Sequence, residues 1–219
     1  MPKVKDEYLA DKKTFILECT KEVLMEKPLY LVTMRDIIKK GGFSQGVIYR
    51  YYANLDEIYV DLINMHTTDS FLEQKIDTLL DSEQTEKTIL TECFIAMGEY
   101  IEELLKSIVG KIFFELLVLY SSDQEKRAAI FPKLRFKQRL EYAQKRLVEY
   151  ALYNIEKGVF QPLIPFRSAL LFVNVFIDGI GQRVVWDTTK DGACDPGSAT
   201  DVPEMFRTLA KAVISFLEE

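Results

Sequence analysis

Between positions 33 and 51 the chain carries a dense set of hydrogen-bond donors: Thr33, Arg35, Ser44, Gln45, Tyr49, Arg50 and Tyr51, with Gly46 among them. None is a nucleophile with a base beside it. Hydroxyls, an amide and guanidinium groups near helix starts suit contact with phosphates and base edges. The parts of catalytic chemistry are missing. His66 is the only histidine, so a two-histidine metal site is excluded. No Gly-rich phosphate loop or nucleophile elbow is found. Adjacent acids such as Glu102 and Glu103 point in different directions on a helix. Cys19, Cys93 and Cys194 are far apart and odd in number, which fits neither a disulfide framework nor a zinc site. No catalytic residue, metal or cofactor is expected.

Charge supports the same region. The formal net charge is −6, yet residues 1–55 hold ten Lys/Arg against seven Asp/Glu, and the remainder 18 against 27. A mildly basic head on an acidic body binds phosphate locally and repels it elsewhere. The N-terminal stretch is polar and no apolar run approaches a membrane span. A reduced cytoplasmic setting is the expectation.

The elements that must position these donors are helices almost throughout. A first helix is expected over 11–26, with Phe15, Ile16, Cys19, Val23 and Leu24 as its apolar stripe and Pro28 ending it. Short helices follow over 33–41 and 44–52, with Gly42 permitting the sharp turn between them. Thr33 caps the second helix, and Asp36 sits three residues on. Ser44 caps the third, in which Ile48 and Tyr52 share one face while Gly46, Tyr49 and Arg50 lie opposite. Asn54 and Glu57 form a capping pair that starts a long helix running to about Leu80. Further helices are expected over 88–106, 108–121, 131–157, 165–187 and 203–218. Gly158 serves as a helix stop, 82–88 as a polar connection and Thr188–Thr200 as a loop.

The segment KTFILECTKEVLMEKPLYLVTMRDIIKKGGFSQGVIYRYYANLDEIYVDLI resembles the head of tetracycline-repressor-like (TetR) regulators. Thr33, Ile37, Gly42, Ser44, Gly46, Tyr49, the pair Tyr51-Tyr52 and Glu57-Ile58 fall at the family's spacing. The resemblance implies an all-α fold: an N-terminal three-helix helix-turn-helix head over 1–54, and a helical-bundle body for ligand binding and dimerisation over 55–219. It implies a non-enzymatic repressor that binds a palindromic double-stranded DNA operator as a homodimer and is released by a small lipophilic effector. Gln45 and Gly46 would lie against base edges. Thr33, Ser44, Tyr49 and Tyr51 would meet phosphates, Arg35 could do either, and Arg50 belongs to the same face. Three positions depart from the pattern. Leu55 replaces a lysine that contacts phosphate, Pro28 a glycine and Val47 a threonine. Leu55 motivates the alternative, a protein of this fold that works mainly through a partner protein.

For the body, the resemblance places a ligand pocket among the middle helices. Candidates are Phe94, Met97, Tyr100, Phe113, Phe114, Leu117, Tyr120 and Trp186, each with ordinary core packing as its other reading. Glu99, Glu115 and Asp178 would either receive a cationic ligand or face solvent. His66 is either a sensor or a packed residue. The resemblance also assigns a dimer interface to the last two helices, through Phe172, Phe176, Gly179, Ile180, Phe206, Leu209 and Val213, with intramolecular core as the other reading of these apolar stripes.

Overall fold

The computed structural model describes residues 3–67, 71–187 and 201–217. It is all-α, with no strand among the described residues. Two compact units divide the chain. Met1–Thr68 with Ile112–Arg135 form the first, and Asp69–Lys111 with Phe136–Glu219 the second.

The first unit begins with α1 (Lys3–Glu26), longer at its start than expected. Ile16, Cys19, Val23 and Leu24 are buried, while Phe15 stays half-exposed and meets the Phe43 ring edge-on at 5.4 Å. Pro28 is followed by a 3-10 turn (Leu29–Leu31) and then α2 (Met34–Gly41). The capping box forms as expected. Asp36 donates its N–H to the Thr33 hydroxyl at 3.3 Å, and its carboxylate accepts from the Thr33 N–H at 2.8 Å. Such a cap stabilises a helix by about 1 kcal/mol. Gly42 closes α2 at φ +63°, where glycine alone is unstrained.

The third helix, α3 (Gln45–Tyr49), is shorter than the expected 44–52 span. Ser44 occupies the cap position but makes no side-chain capping bond. α4 (Leu55–His66) starts as read, with the Asn54 side chain accepting from the Glu57 N–H at 3.0 Å. The Glu57 carboxylate accepts from Ala53 N–H instead of Asn54.

Two expected helices are corrected. The span 54–80 is divided: α4 ends at His66, Thr67 is extended, and α5 (Phe71–Leu80) follows. Short polar side chains and β-branched threonine favour caps over helix interiors, and the sequence concentrates them at Thr67-Thr68-Asp69-Ser70. The span 131–157 begins late. A short helix α8 (Gln124–Ile130), capped by Asp123, and a 3-10 turn (Phe131–Lys133) containing Pro132 precede α9 (Arg135–Glu156). Pro132 lacks the N–H that a continuous helix requires.

The second unit contains α5, α6 (Glu86–Lys106), α9, α10 (Phe166–Asp187) and α11 (Val202–Leu217). α7 (Ile108–Leu119) joins the first unit from Ile112 onward. Packing of α6 on α11 dominates the second core. Gly98 makes it possible: a Cβ there would stand 2.8 Å from that of Phe206, closer than atoms tolerate. Gly158 at φ +75° ends α9, with the Val159 N–H reaching the Asn154 carbonyl at 2.9 Å. The loop Thr188–Thr200, with Cys194, lies outside the described residues.

Candidate functional site

A five-residue helix has no stability of its own, so α3 depends on its anchors. Ile48 is fully buried, and so is Tyr52 just beyond it. The Tyr52 hydroxyl donates to Asp61 at 3.0 Å, Lys13 pairs with the same carboxylate at 3.2 Å, and the Lys13 ammonium lies 5.0 Å over the Tyr52 ring. Burial, then Asp61, raises the Tyr52 phenol well above its ordinary pKa, so it remains a donor. These contacts turn the opposite face outward. Ser44, Gln45, Gly46, Tyr49 and Arg50 are exposed, as is Arg35 on α2, and Tyr51 is half-buried. Among the described residues, none of these side chains bonds to another. Their donors are open to an external acceptor.

Gly46 adds a separate observation. A Cβ at this position would meet nothing within 4 Å, and the backbone is helical, so nothing inside the chain requires glycine. Close approach from outside is a physical reason for its absence of side chain. Thr33 differs from its neighbours. Its hydroxyl donates to Asp36 at 2.6 Å, so its proton is committed within the capping box. Asp36 also binds Lys27 at 2.6 Å, and Lys27, followed by Thr33, holds its carboxyl down at about 2.

The inserted segment 112–135 is fastened to this head by bonds that sequence reasoning missed. Glu115 accepts the Leu29 N–H at 2.5 Å, satisfying an orphan donor of the 3-10 turn. Tyr120 donates to Asp56 at 2.5 Å, and Lys126 pairs with the same carboxylate. Asn64 brackets the Lys133 carbonyl and the Arg135 N–H, both at 2.9 Å. A cleft of about 570 Å³ lies between Lys13, the turn at 51–54, α4 and α8. Its acids Asp56 and Asp61 are satisfied within the protein.

The candidate pocket residues divide between the two units. Phe113, Phe114, Leu117 and Tyr120 belong to the first unit, where Phe113 packs on Phe131 at 5.7 Å. Phe94 and Met97 belong to the second and wall a small apolar cavity of about 50 Å³ with Leu90, Leu147, Phe166 and Val173. Tyr100 is one turn further along α6. The Trp186 side chain lies outside the described ones. The acids resolve individually: Glu99 pairs with Lys75 at 2.7 Å, Glu115 is bonded as above, and Asp178 is exposed. Cys93 is fully buried, which with Glu92 pushes its thiol up to about 12, so it has no thiolate character. The ring of His66 is held neutral, chiefly by burial and then by Lys21, and its Nε2 has no hydrogen-bond partner.

The seven dimer candidates also separate. Ile180, Phe206, Leu209 and Val213 are buried in their own chain's core, and Phe176 meets Phe206 edge-on at 5.9 Å. Phe172 is partly exposed and Gly179 faces open space. Beside them stand Leu171 and Val175, 62% and 63% exposed, which the sequence reading did not select. Their spacing of four on a helix was the available signal.

Among the described residues no three His, Cys, Asp or Glu side chains are placed to hold a metal. No described helix is long and apolar enough to cross a membrane.

Comparison with known proteins reaches the same region first. Residues 16–62 match the bacterial regulatory proteins of the tetR family. YfiR, an uncharacterized HTH-type transcriptional regulator of Bacillus subtilis (strain 168), is 24% identical over 191 residues, covering 84% of this chain and 85% of its own. Among solved structures, the TetR-family regulator PfmR from Thermus thermophilus shares the fold with a TM-score of 0.58 at 18% identity, over 93% of this chain and 99% of that one. The regulator FadR from Bacillus subtilis, solved in complex with stearoyl-CoA, has a TM-score of 0.55 at 18% identity, over 94% and 99%. Residues 16–62 thus match the tetR family of bacterial regulatory proteins, and the all-helical fold is shared with solved regulators of that family.

Proposed function

We propose that the protein is a cytoplasmic transcriptional repressor that binds a palindromic operator as a homodimer and is released by a small lipophilic effector. The head over 1–54 reads DNA, and residues 55–219 take up the effector and dimerise. One observation carries this reading. A short helix anchored by Ile48 and Tyr52 presents Gln45, Tyr49 and Arg50 unbonded beside Gly46, where the chain leaves space for another molecule. Gln45 and Gly46 read base edges, while Ser44, Tyr49 and Tyr51 position phosphates. Arg35 serves either role, and Thr33 contributes mainly by fixing α2.

Homodimerisation is supported by the exposed apolar stripe Leu171, Phe172 and Val175 on α10, a surface that a monomer has no reason to keep. A twofold axis then presents two heads to two half-sites. That FadR was solved with stearoyl-CoA supports a lipophilic effector in this architecture. Effector binding shifts the dimer to a head spacing that no longer matches the half-sites, by no more than its differential affinity for the two states.

Selection of bound duplexes from a random pool by the purified protein, titrated at two salt concentrations, tests the reading. A palindrome bound with steep salt dependence is expected. A folded dimer that enriches no sequence would overturn it and favour action through a partner protein.

A further inference from the structure

The second unit buries one charged side chain among the described residues, and that charge is positive. Arg139 on α9 is only 9% exposed. It stands in register with Ala143, Leu147 and Ala151, four residues apart and all buried, so the four form one stripe. Leu147 and Ala151 wall the apolar cavity. α6 repeats the order: Phe94 and Met97 line the cavity, and Tyr100 follows one turn on. The Tyr100 hydroxyl is shielded from solvent, the Arg139 guanidinium lies within reach of its oxygen, and its own proton has no acceptor. Burial raises its pKa, and Arg139 beside it opposes the rise. Two helices thus each carry an apolar wall and, further along, a polar group: Tyr100 one turn beyond Met97, and Arg139 about two turns from Leu147.

We propose that the effector is an aliphatic carboxylate whose chain enters the apolar cavity and whose head meets Arg139 and Tyr100. This rests on the effector-binding reading above and supplies the chemistry of the ligand. Arg139 already makes contacts within the fold, but a guanidinium offers five donors in a planar fork, enough for a further acceptor. Charge-assisted, bidentate contact to a carboxylate is its preferred geometry. Tyr100 supplies a neutral donor at a site where leaving it unmade is unfavourable. The cavity of about 50 Å³ holds part of a chain, so uptake displaces adjustable walls, Met97 first. A cationic ligand is disfavoured. Glu99 is occupied by Lys75 near the surface, and Asp178 is exposed.

The test compares decanoate with decan-1-ol by calorimetric titration of the full chain. Decanoate is expected to bind at least about tenfold more tightly, the factor that one retained charge-assisted bond produces. Arg139→Gln should erase the difference by weakening decanoate alone. Should that variant fail to fold, Tyr100→Phe, which keeps the ring, should weaken decanoate about fivefold and leave decan-1-ol unchanged. Equal affinity for acid and alcohol, or binding of neither while another compound class releases the selected operator, would overturn the proposal and leave the repressor reading intact. Tight decanoate binding that spares the alcohol, in a protein that enriches no DNA, would support the anion site and sink the repressor.

Discussion

Replacing Gly46 by alanine sets folding against DNA binding. Its backbone is helical and a Cβ would meet no atom of the chain. Gly→Ala at such a site stabilises by about 0.4–1 kcal/mol through the entropy of the unfolded chain. For a chain of this length, 1 kcal/mol raises the melting midpoint by about 2–4 °C. The DNA complex should respond in the opposite direction. If the α3 backbone lies against a base edge, the added methyl overpacks that contact at about 1–3 kcal/mol, or about 5- to 150-fold in Kd. Urea denaturation and titration of the selected operator measure the two effects on the same preparation. A more stable variant with weaker operator binding is the expected pair. Unchanged or tighter operator binding would refute the placement of Gly46 against DNA.

Leu55→Lys should restore a phosphate contact, raising affinity for all sequences alike and steepening the salt slope by about one unit; an unchanged slope means position 55 does not reach the backbone. Gly98→Val should cost about 1–3 kcal/mol in thermal unfolding, because the side chain has no space beside Phe206. Asp36→Asn tests the acid dependence of the head. Its carboxyl is held at about 2 by Lys27 and Thr33, below an unfolded value near 3.8, so its contribution is present above the unfolded value and is lost as pH falls through the folded one. The wild-type head should lose stability across that interval, and the variant should show a shallower loss by circular dichroism.

Local rules were enough for the first 60 residues. Caps at Thr33 and Asn54, the Gly42 turn and the Ile48–Tyr52 anchor are each written within four residues, and each forms. Ser44 kept its position without its bond, because cap position is set by backbone direction and the side-chain bond by a rotamer. The body was less legible. Apolar periodicity predicts which face of a helix is covered and is silent on what covers it: Phe206 and Leu209, which the resemblance assigns to a dimer surface and which core packing explains equally, are buried within their own chain. The same blindness divided the aromatic set between two units. Arg139 was missed because an arginine in a polar helix reads as solvated; its four-residue spacing from Ala143, Leu147 and Ala151 was the signal.

The fastening of 112–135 to the head has a consequence for how this regulator can be made and rearranged. On the ribosome, Leu29 and Asp56 emerge long before Glu115, Tyr120 and Lys126, so these bonds of the first unit cannot form until the segment 112–135 has been synthesised. A graft that transplants residues 1–68 alone onto another body leaves behind the acceptor for one N–H and both partners of one carboxylate. Exchange of specificity between relatives of this architecture is therefore not a matter of cutting once: the transferable cassette comes in two pieces separated by more than forty residues of chain.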